Sequence, residues 1–219
     1  MSETTLYGYW RSSAAYRVRI ALNLKGIEYR HKSVHLLKNG GEQHTIEFKA
    51  INPNELVPVL NIDDLYLNQS LAIIEYLEER NPEPSLLPIG IKHRSVVRAL
   101  SLDIAADLHP LNNLRVLQYL TDHLTITEET RLAWIEHWIE KGLTAVENRI
   151  SQHQMKQPTD YCYGDSVTMA DVCLVPQVYN AKRFGVEISQ FANLDRIVNN
   201  LNRLSAFEVA KPENQPDAE

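Results

Sequence analysis

Hydrophobic and polar positions alternate in two different ways along this chain, and the change between them predicts two domains. Through about residue 80, short apolar runs of strand length alternate with helical patterns, which predicts the order β-α-β-α-β-β-α. From Lys92 to about Leu204, apolar side chains recur three and four positions apart almost throughout, as is typical of packed amphipathic helices. The pattern therefore predicts an α/β domain followed by an all-α domain.

The boundaries of the first set of elements follow from turn and breaker residues. The predicted elements are a strand over 6–10, a helix over 14–25 ended by Gly26, a strand over 28–34, a loop over 38–43, a short helix over 45–50, a hairpin of 57–62 and 65–67, and a helix from Ser70 ended by Pro82.

This order of elements is the pattern of a thioredoxin-like domain, and its third strand begins with Val57-Pro58. A proline at the first residue of a strand removes no interior ladder bond. In folds of this kind the proline is typically cis, and an ordinary trans edge proline is the alternative. A cis bond would turn the N–H and C=O of Val57 outward, where they could pair with an extended ligand.

Three prolines between residues 81 and 88 mark a linker. The prediction is a domain over 1–82, a linker over 83–91 and a helical domain over 92–219 that ends in a polar tail, 211–219, expected to be disordered. Within the helical domain, Thr168 and Asp171 have the spacing of a capping box, which predicts a buried structural helix start.

Composition excludes several classes of protein. Of 219 residues, 44% are apolar and 23% charged, and no segment approaches the roughly 20 apolar residues of a membrane span. The first residues show no secretory signal, so the cytoplasm is the expected location. A net charge of −6 argues against a nucleic-acid partner. Cys162 and Cys173 lack ligand spacing, so reduced thiols and no metal site are expected.

Candidate chemistry concentrates where the first strand gives way to the first helix, at Ser12 and Ser13. A helix N-terminus offers unpaired N–H groups and a partial positive charge, so an anion placed there is stabilised. Residues 1–35 add six basic side chains against two acidic ones. The alternative is that one serine only caps the helix.

The same turn stands where a redox-active thioredoxin-like domain would carry its CxxC pair, but residues 12–15 are Ser-Ser-Ala-Ala. A thiol must therefore come from a ligand, and a thiol tripeptide such as glutathione would have its thiolate favoured by a hydroxyl donor and the helix dipole. Gln69-Ser70 opens the last helix of this domain. Ser70 is a natural N-cap there, and the N–H groups behind it could bind a carboxylate of the ligand.

With these features the chain resembles a glutathione transferase, and within that superfamily it resembles the zeta class, also called maleylacetoacetate isomerases. The resemblance runs over nearly the full length and is carried by RSSAAYRVRIALNLKGIEY, LLKNGGEQ, NPNELVPVL, NQSLAIIEYLEERNP, HPLNNLRVL and VTMADVCLVPQVYNAKRF. It implies a glutathione transferase fold, glutathione as cofactor and a homodimer.

The resemblance also implies roles for individual residues. Ser12, with Ser13 beside it, corresponds to the serine that hydrogen-bonds the glutathione sulfur. Arg183 corresponds to a residue that receives a substrate carboxylate, and Arg11 is a second candidate; a solvated helix charge is the alternative for Arg183. The remaining implied glutathione-binding positions are Ala14, Ala15, Tyr16, Arg17, Gln43, Val57, Pro58, Gln69, Ser70, His109, Asn113, Leu114 and Arg115.

The implied reaction is the glutathione-dependent conversion of maleylacetoacetate to fumarylacetoacetate in tyrosine and phenylalanine catabolism, by thiolate addition, rotation and elimination. The class usually has Ser-Ser-Cys, and Ala14 replaces that cysteine here, so a mechanism that needs a protein thiol is disfavoured. Maleylpyruvate isomerisation, glutathione transfer to α-haloacids and other electrophiles, and a non-catalytic binding module remain as alternatives.

Overall fold

Strands and helices alternate over the first 80 residues in the predicted order. A computed structural model describes residues 3–219. Contacts divide the chain into two compact units, one formed by residues up to Ser85 together with Arg203–Glu219 and one formed by Leu86–Asn202. The elements of the first unit before its C-terminal segment are β1 (Thr5–Gly8), α1 (Ser13–Leu24), β2 (Arg30–Ser33), α2 (Ile46–Ile51), β3 (Val59–Ile62), β4 (Leu65–Asn68) and α3 (Ser70–Arg80).

The four strands form one mixed sheet in the order β2-β1-β3-β4. β1 runs parallel to β2, and β3 is antiparallel to both β1 and β4. The register pairs Gly8 with Ser33, Tyr7 with Val59 and Val59 with Asn68. The segments that follow β1, β2 and β4 and the segment that precedes β3 therefore all leave the sheet at one end, which we call the Gly8 end.

The close packing of α1 on the sheet depends on small residues at this end. A Cβ built on Gly8 would lie 3.3 Å from the Cβ of Ala15, tighter than ordinary van der Waals contact. Ala15, Val18 and Leu22, spaced three and four positions apart, are fully buried on α1. Glycine at position 8 therefore lets the first turn of α1 approach β1.

Two predictions at the Gly8 end have different outcomes. The Val57–Pro58 peptide bond is cis, as predicted. The prediction that Ser70 is the N-cap of α3 is wrong, because Gln69 occupies the cap with a φ of 67° and Ser70 is the first helical residue. The Ser70 hydroxyl instead accepts a hydrogen bond from the buried side chain of Arg17. The Ser70 hydroxyl oxygen, which was expected to accept a backbone N–H of α3, therefore accepts from a side chain that is distant in sequence.

The second unit is helical. Its helices are α4 (Ile91–Leu102), α5 (His109–Leu111), α6 (Leu114–Asp122), α7 (Glu128–Gln154), α8 (Met169–Arg183) and α9 (Ala192–Leu201). A π-helical segment, Asp103–Leu108, joins α4 to α5. Among residues 3–219, no helix combines the length and the hydropathy that a membrane crossing requires.

The predicted capping box at the start of α8 is confirmed. One oxygen of the fully buried Asp171 carboxylate accepts from the N–H and hydroxyl of Thr168, each at 2.8 Å. The other oxygen accepts from the N–H of Cys162, also at 2.8 Å. Burial raises the pKa of Asp171, and these hydrogen bonds oppose that shift. Asp171 therefore anchors both the helix and the loop before it.

The C-terminal segment departs from prediction. Residues 203–219 pack with the first unit, although sequence assigned them to the helical domain, and the expected disorder of 211–219 is wrong. The last helix, α10 (Ser205–Ala210), buries Phe207 and Ala210. The carbonyl of Ala210 accepts from the buried Arg19 side chain at 3.0 Å. Local polarity predicted a free tail, whereas long-range hydrogen bonds and apolar burial hold it.

Candidate active site

The turn between β1 and α1 places Ser12 at the N-cap of α1. Its hydroxyl oxygen accepts from the N–H of Ala15 at 3.2 Å, and its carbonyl accepts from the N–H of Tyr16 at 2.8 Å. The capping interpretation is therefore correct for Ser12. It does not exclude a chemical role, because a hydroxyl that accepts one hydrogen bond still has its own proton to donate.

The first turn of α1 also retains anion-binding capacity. The bonds to Ser12 use the N–H groups of Ala15 and Tyr16, so the N–H groups of Ser13 and Ala14 are the ones that a helix start offers to a ligand. The Ser13 side chain is buried and Ser12 is half-buried. The geometry makes Ser12 the more accessible hydroxyl, with the positive end of the helix dipole behind it.

A buried arginine connects this turn to the start of α3. Arg17 lies on α1 with only 1% of its surface exposed, and its Nη1 donates to Ser70 Oγ at 3.2 Å. Gln69, immediately before, is exposed in a positive-φ conformation. The α3 N-terminus therefore combines helix N–H groups, a serine hydroxyl and a nearby guanidinium, a set that suits a carboxylate.

The segment that follows β2 brings Gln43 to the same end of the sheet. Gln43 is 5% exposed, and its Nε2 donates to the carbonyl of Leu36 at 3.4 Å. Its Oε1 is buried and accepts no hydrogen bond from the described part of the chain. Gly41 makes room for this side chain, because it has a φ of 100° and a Cβ there would lie 2.5 Å from Gln43 Nε2. A buried amide oxygen without a hydrogen-bond donor is the kind of acceptor that suits a ligand N–H.

Val57 lies at the same end, just before β3. Its half-buried side chain packs against a small apolar cluster of Tyr7, Val34, Phe48 and Val59. This packing fixes the position of the segment that leads to Pro58, beside the turn that follows β1. The structure therefore brings Ser12, Val57, Gln43 and the Gln69-Ser70 pair to one end of the sheet, which agrees with their sequence-based grouping.

The remaining predicted residues of the first unit differ in how they could contribute. The side chains of Ala15 and Tyr16 are fully buried and belong to the core of the first unit. Arg11 is half-buried, with its guanidinium carbon 4.9 Å from the centre of the Trp10 ring. That stacking orients a cation beside Ser12.

The predicted residues of the second unit lie on three helices. His109 begins α5 directly after the π-helical segment and is half-buried. Asn113 caps α6 by accepting from the N–H of Arg115 at 3.2 Å, with Leu114 as the first helical residue. Arg183 is exposed at the end of α8, with its guanidinium carbon 4.8 Å from the Phe184 ring centre. Helix ends present all of these residues.

Neither cysteine is placed to act as a nucleophile. Cys162 and Cys173 are 1% and 0% exposed, and burial raises the pKa of Cys162 well above its ordinary value. In the span from residue 3 to 219, no group of three His, Cys, Asp or Glu side chains could hold a metal ion. A thiol at this site would therefore have to be brought by a ligand.

Sequence reasoning missed the residues of the C-terminal tail that reach this end of the sheet. Asp217 accepts from the N–H of Trp10 at 3.1 Å, two residues before Ser12. Glu219 pairs with Lys38 and lies 3.3 Å from His35 Nε2. No local pattern predicts these contacts, because a polar, proline-containing segment has the composition of a disordered chain.

Comparison with known proteins agrees with this arrangement. Residues 6–85 match the family model for the glutathione S-transferase N-terminal domain. A probable maleylacetoacetate isomerase of Vibrio cholerae serotype O1 is 53% identical over 218 residues, with 100% of both chains covered.

Two solved structures are similar over nearly the whole chain. One is a holo maleylpyruvate isomerase described as a bacterial zeta-class glutathione S-transferase, with a TM-score of 0.92 and 41% identity, covering 98% of this chain and 100% of that one. The other is a maleylacetoacetate isomerase from Methylobacterium extorquens AM1 with bound malonate and GSH, with a TM-score of 0.93 and 38% identity, covering 98% and 99%. The chain therefore belongs to the glutathione S-transferase family, and within it to the zeta class that contains the maleylacetoacetate isomerases.

Proposed function

We propose that this protein is a glutathione-dependent cis-trans isomerase that converts maleylacetoacetate to fumarylacetoacetate. The observation that carries the proposal is the Ser12 hydroxyl at the N-terminus of α1, in a chain whose two thiols are buried. The site is built to stabilise a thiolate that the protein does not itself provide. The relative from Vibrio cholerae, identical at 53% of positions, is named for the same activity.

The residues at the Gly8 end fit glutathione. Glutathione carries a thiol, two carboxylates and two peptide groups, and the first unit offers counterparts for the thiol, for one carboxylate and for one peptide N–H. Ser12 and the α1 N-terminus suit the thiolate, and the α3 N-terminus with Ser70 and Arg17 suits a carboxylate. The buried Oε1 of Gln43, which has no partner within residues 3–219, suits a peptide N–H. The similar isomerase from Methylobacterium extorquens was solved with bound GSH.

When bound, glutathione supplies a thiolate that adds reversibly to the cis double bond of the substrate, so that rotation and release give the trans isomer. Ser12 donates its hydroxyl proton toward the sulfur and thereby favours the ionised thiol. The N–H groups of Ser13 and Ala14 add the favourable field of the α1 N-terminus. Ala14 cannot act as a nucleophile, so the protein residues tune the thiol rather than attack the substrate.

The substrate is an anionic acid, and two arginines are its proposed receptors. Arg183 is exposed at the C-terminal end of α8, and Arg11 stacks on Trp10 next to Ser12. A guanidinium offers paired donors that match a carboxylate. His109, Asn113, Leu114 and Arg115 are proposed to contact the bound glutathione from the second unit. The malonate bound to the Methylobacterium extorquens relative is also a dicarboxylate.

Maleylpyruvate isomerisation is the second candidate function, because a structurally similar zeta-class enzyme with 41% identity is named for it. The decisive experiment follows the absorbance change of cis-to-trans conversion with maleylacetoacetate and with maleylpyruvate, each with and without glutathione. We expect glutathione-dependent turnover, faster with maleylacetoacetate. Turnover of α-haloacids with consumption of glutathione would indicate a transferase, and binding of glutathione without turnover of any substrate would indicate a binding module.

We further propose that the protein acts as a homodimer in the cytoplasm, where glutathione and the two free cysteines stay reduced. Large apolar side chains are exposed on both units, including Tyr66 at 53% and Ile91 at 84%, and association of two copies would remove part of this apolar surface from water. Sedimentation at micromolar concentration should give about twice the chain mass of 25.1 kDa. A species of single-chain mass alone would refute the dimer.

A further inference from the structure

The C-terminal segment, residues 203–219, runs along α1 to the Gly8 end of the sheet and is held by side chains and backbone groups of the first unit. Asn23 on α1 donates to the carbonyl of Ala206 at 3.0 Å, and the buried Arg19 donates to the carbonyl of Ala210 at 3.0 Å. Another nitrogen of Arg19 donates to the carbonyl of Trp10 at 2.9 Å. Arg19 therefore joins the end of α10 to the segment that leads into the Ser12 turn.

Asp217 contacts three residues of the first unit. Its Oδ2 accepts from the N–H of Trp10 at 3.1 Å and from the hydroxyl of Ser33 at 2.9 Å. Its Oδ1 lies 3.0 Å from Nε2 of His31, and the two side chains are only 12% and 8% exposed. Trp10 follows β1, whereas His31 and Ser33 belong to β2. One carboxylate therefore ties the start of the Ser12 turn to the neighbouring strand.

Glu219 contacts the next segment along the same edge. It pairs with Lys38 and lies 3.3 Å from His35 Nε2, and its pKa is lowered chiefly by the Lys38 hydrogen bond. These two partners precede Gln43 in the loop after β2. Glu219 is half exposed, so solvent screens its contacts, and Asp217 is the stronger attachment.

We propose that Asp217 is a positioning residue for the glutathione site. The Ser12 hydroxyl can stabilise a thiolate only when the turn holds it within about 0.5 Å and 10–20° of the productive geometry. Trp10 lies two residues before Ser12, and the N–H of Ser12 itself donates to Tyr9 at 2.9 Å. Anchoring Trp10 through Asp217 therefore restricts the turn that aims the Ser12 hydroxyl. This inference rests on the proposed glutathione site.

The test measures glutathione binding to the full chain by isothermal titration, together with the pKa of the bound thiol from its ultraviolet thiolate absorbance. Asp217→Ala should weaken binding by about five- to tenfold and raise the bound thiol pKa by about half a unit or more, because the anchor of the turn is lost. Asp217→Asn keeps an acceptor oxygen for Trp10 and Ser33 and should bind within about threefold of the wild type.

Glu208→Ala is the matched control, because Glu208 is a carboxylate of the same C-terminal segment, on α10, whose side chain pairs with Lys211. It should leave both readouts at their wild-type values. A tail with a merely structural role would lower the active fraction of Asp217→Ala without changing the dissociation constant or thiol pKa, and that result would overturn the proposal. Equal loss in the Ala and Asn variants would overturn the hydrogen-bond assignment. Failure of the wild type to bind glutathione would instead refute the proposed function.

Discussion

Replacing Ser12 by alanine tests the centre of the proposed mechanism, because the change removes one oxygen that has two roles. As an acceptor, the Ser12 hydroxyl caps α1 through the N–H of Ala15 at 3.2 Å. As a donor, it is proposed to hydrogen-bond the glutathione thiolate. The variant keeps the backbone N–H groups of the turn, so the contribution of the helix N-terminus remains.

The size of the effect follows from these two roles. Loss of an N-cap side chain costs about 1 kcal/mol of helix stability, which the buried packing of α1 can absorb. Loss of a hydrogen bond to a charged group costs about 1.5–3 kcal/mol, which corresponds to a rise of about one to two units in the pKa of the bound thiol. Because the thiolate is the reactive form, the rising limb of the pH profile of kcat/KM should move to higher pH by the same amount.

The assay records kcat/KM for isomerisation from pH 5 to 10 and, separately, the ultraviolet absorbance of bound thiolate, on wild type, Ser12→Ala, Ser12→Thr and Ser13→Ala. Ser12→Thr keeps the hydroxyl and should retain the wild-type thiol pKa. Ser13→Ala should have a small effect, since Ser13 is 8% exposed. An unchanged thiol pKa in Ser12→Ala would refute the reasoning and transfer the role to Ser13 or to the backbone.

Three further predictions address other parts of the molecule. Asp171→Ala leaves three buried donors without an acceptor and should lower the free energy of unfolding by about 3–5 kcal/mol in urea titrations; a loss below about 1 kcal/mol would contradict its anchoring role. Cys162 and Cys173 should react with Ellman's reagent only after unfolding, and rapid reaction of the native protein would contradict their burial. Arg183→Gln should raise KM for the acid substrate about tenfold without changing the glutathione dissociation constant. The matched variant Lys182→Gln should leave KM unchanged. An equal rise of KM in both variants would indicate a nonspecific effect of positive charge on the acid substrate rather than a role of Arg183.

Much of the fold could be predicted because its signals are local. The periodicity of α1, the turn at Asp63-Asp64 and the capping box of Thr168 and Asp171 each depend on residues within a few positions of one another. It was also possible to predict that the candidate site residues lie together. Once the strand order is known, segments that follow β1 and β4 and precede β3 must meet at one end of the sheet.

Other features could not be predicted because their partners are distant in sequence. Serine is a favoured N-cap residue, yet the Ser70 hydroxyl oxygen accepts a hydrogen bond from Arg17, 53 positions earlier. The polarity of residues 211–219 predicts disorder, yet Asp217 accepts a hydrogen bond from Trp10, 207 positions away. Buried arginines carry no sequence signal of their burial, since most arginines are exposed.

Local pattern and residue identity were enough to predict the order of elements, the serine turn at a helix start, the absence of a CxxC pair and the resemblance to zeta-class glutathione transferases. The packed first unit was needed to show that the Ser12 hydroxyl stays accessible, that the Ser70 hydroxyl accepts from the buried Arg17 guanidinium, and that Asp217 accepts from the N–H of Trp10 beside the Ser12 turn. The physical reason is that hydrogen-bond partners and burial are set by the packing of distant segments, whereas capping and periodicity are set by neighbours.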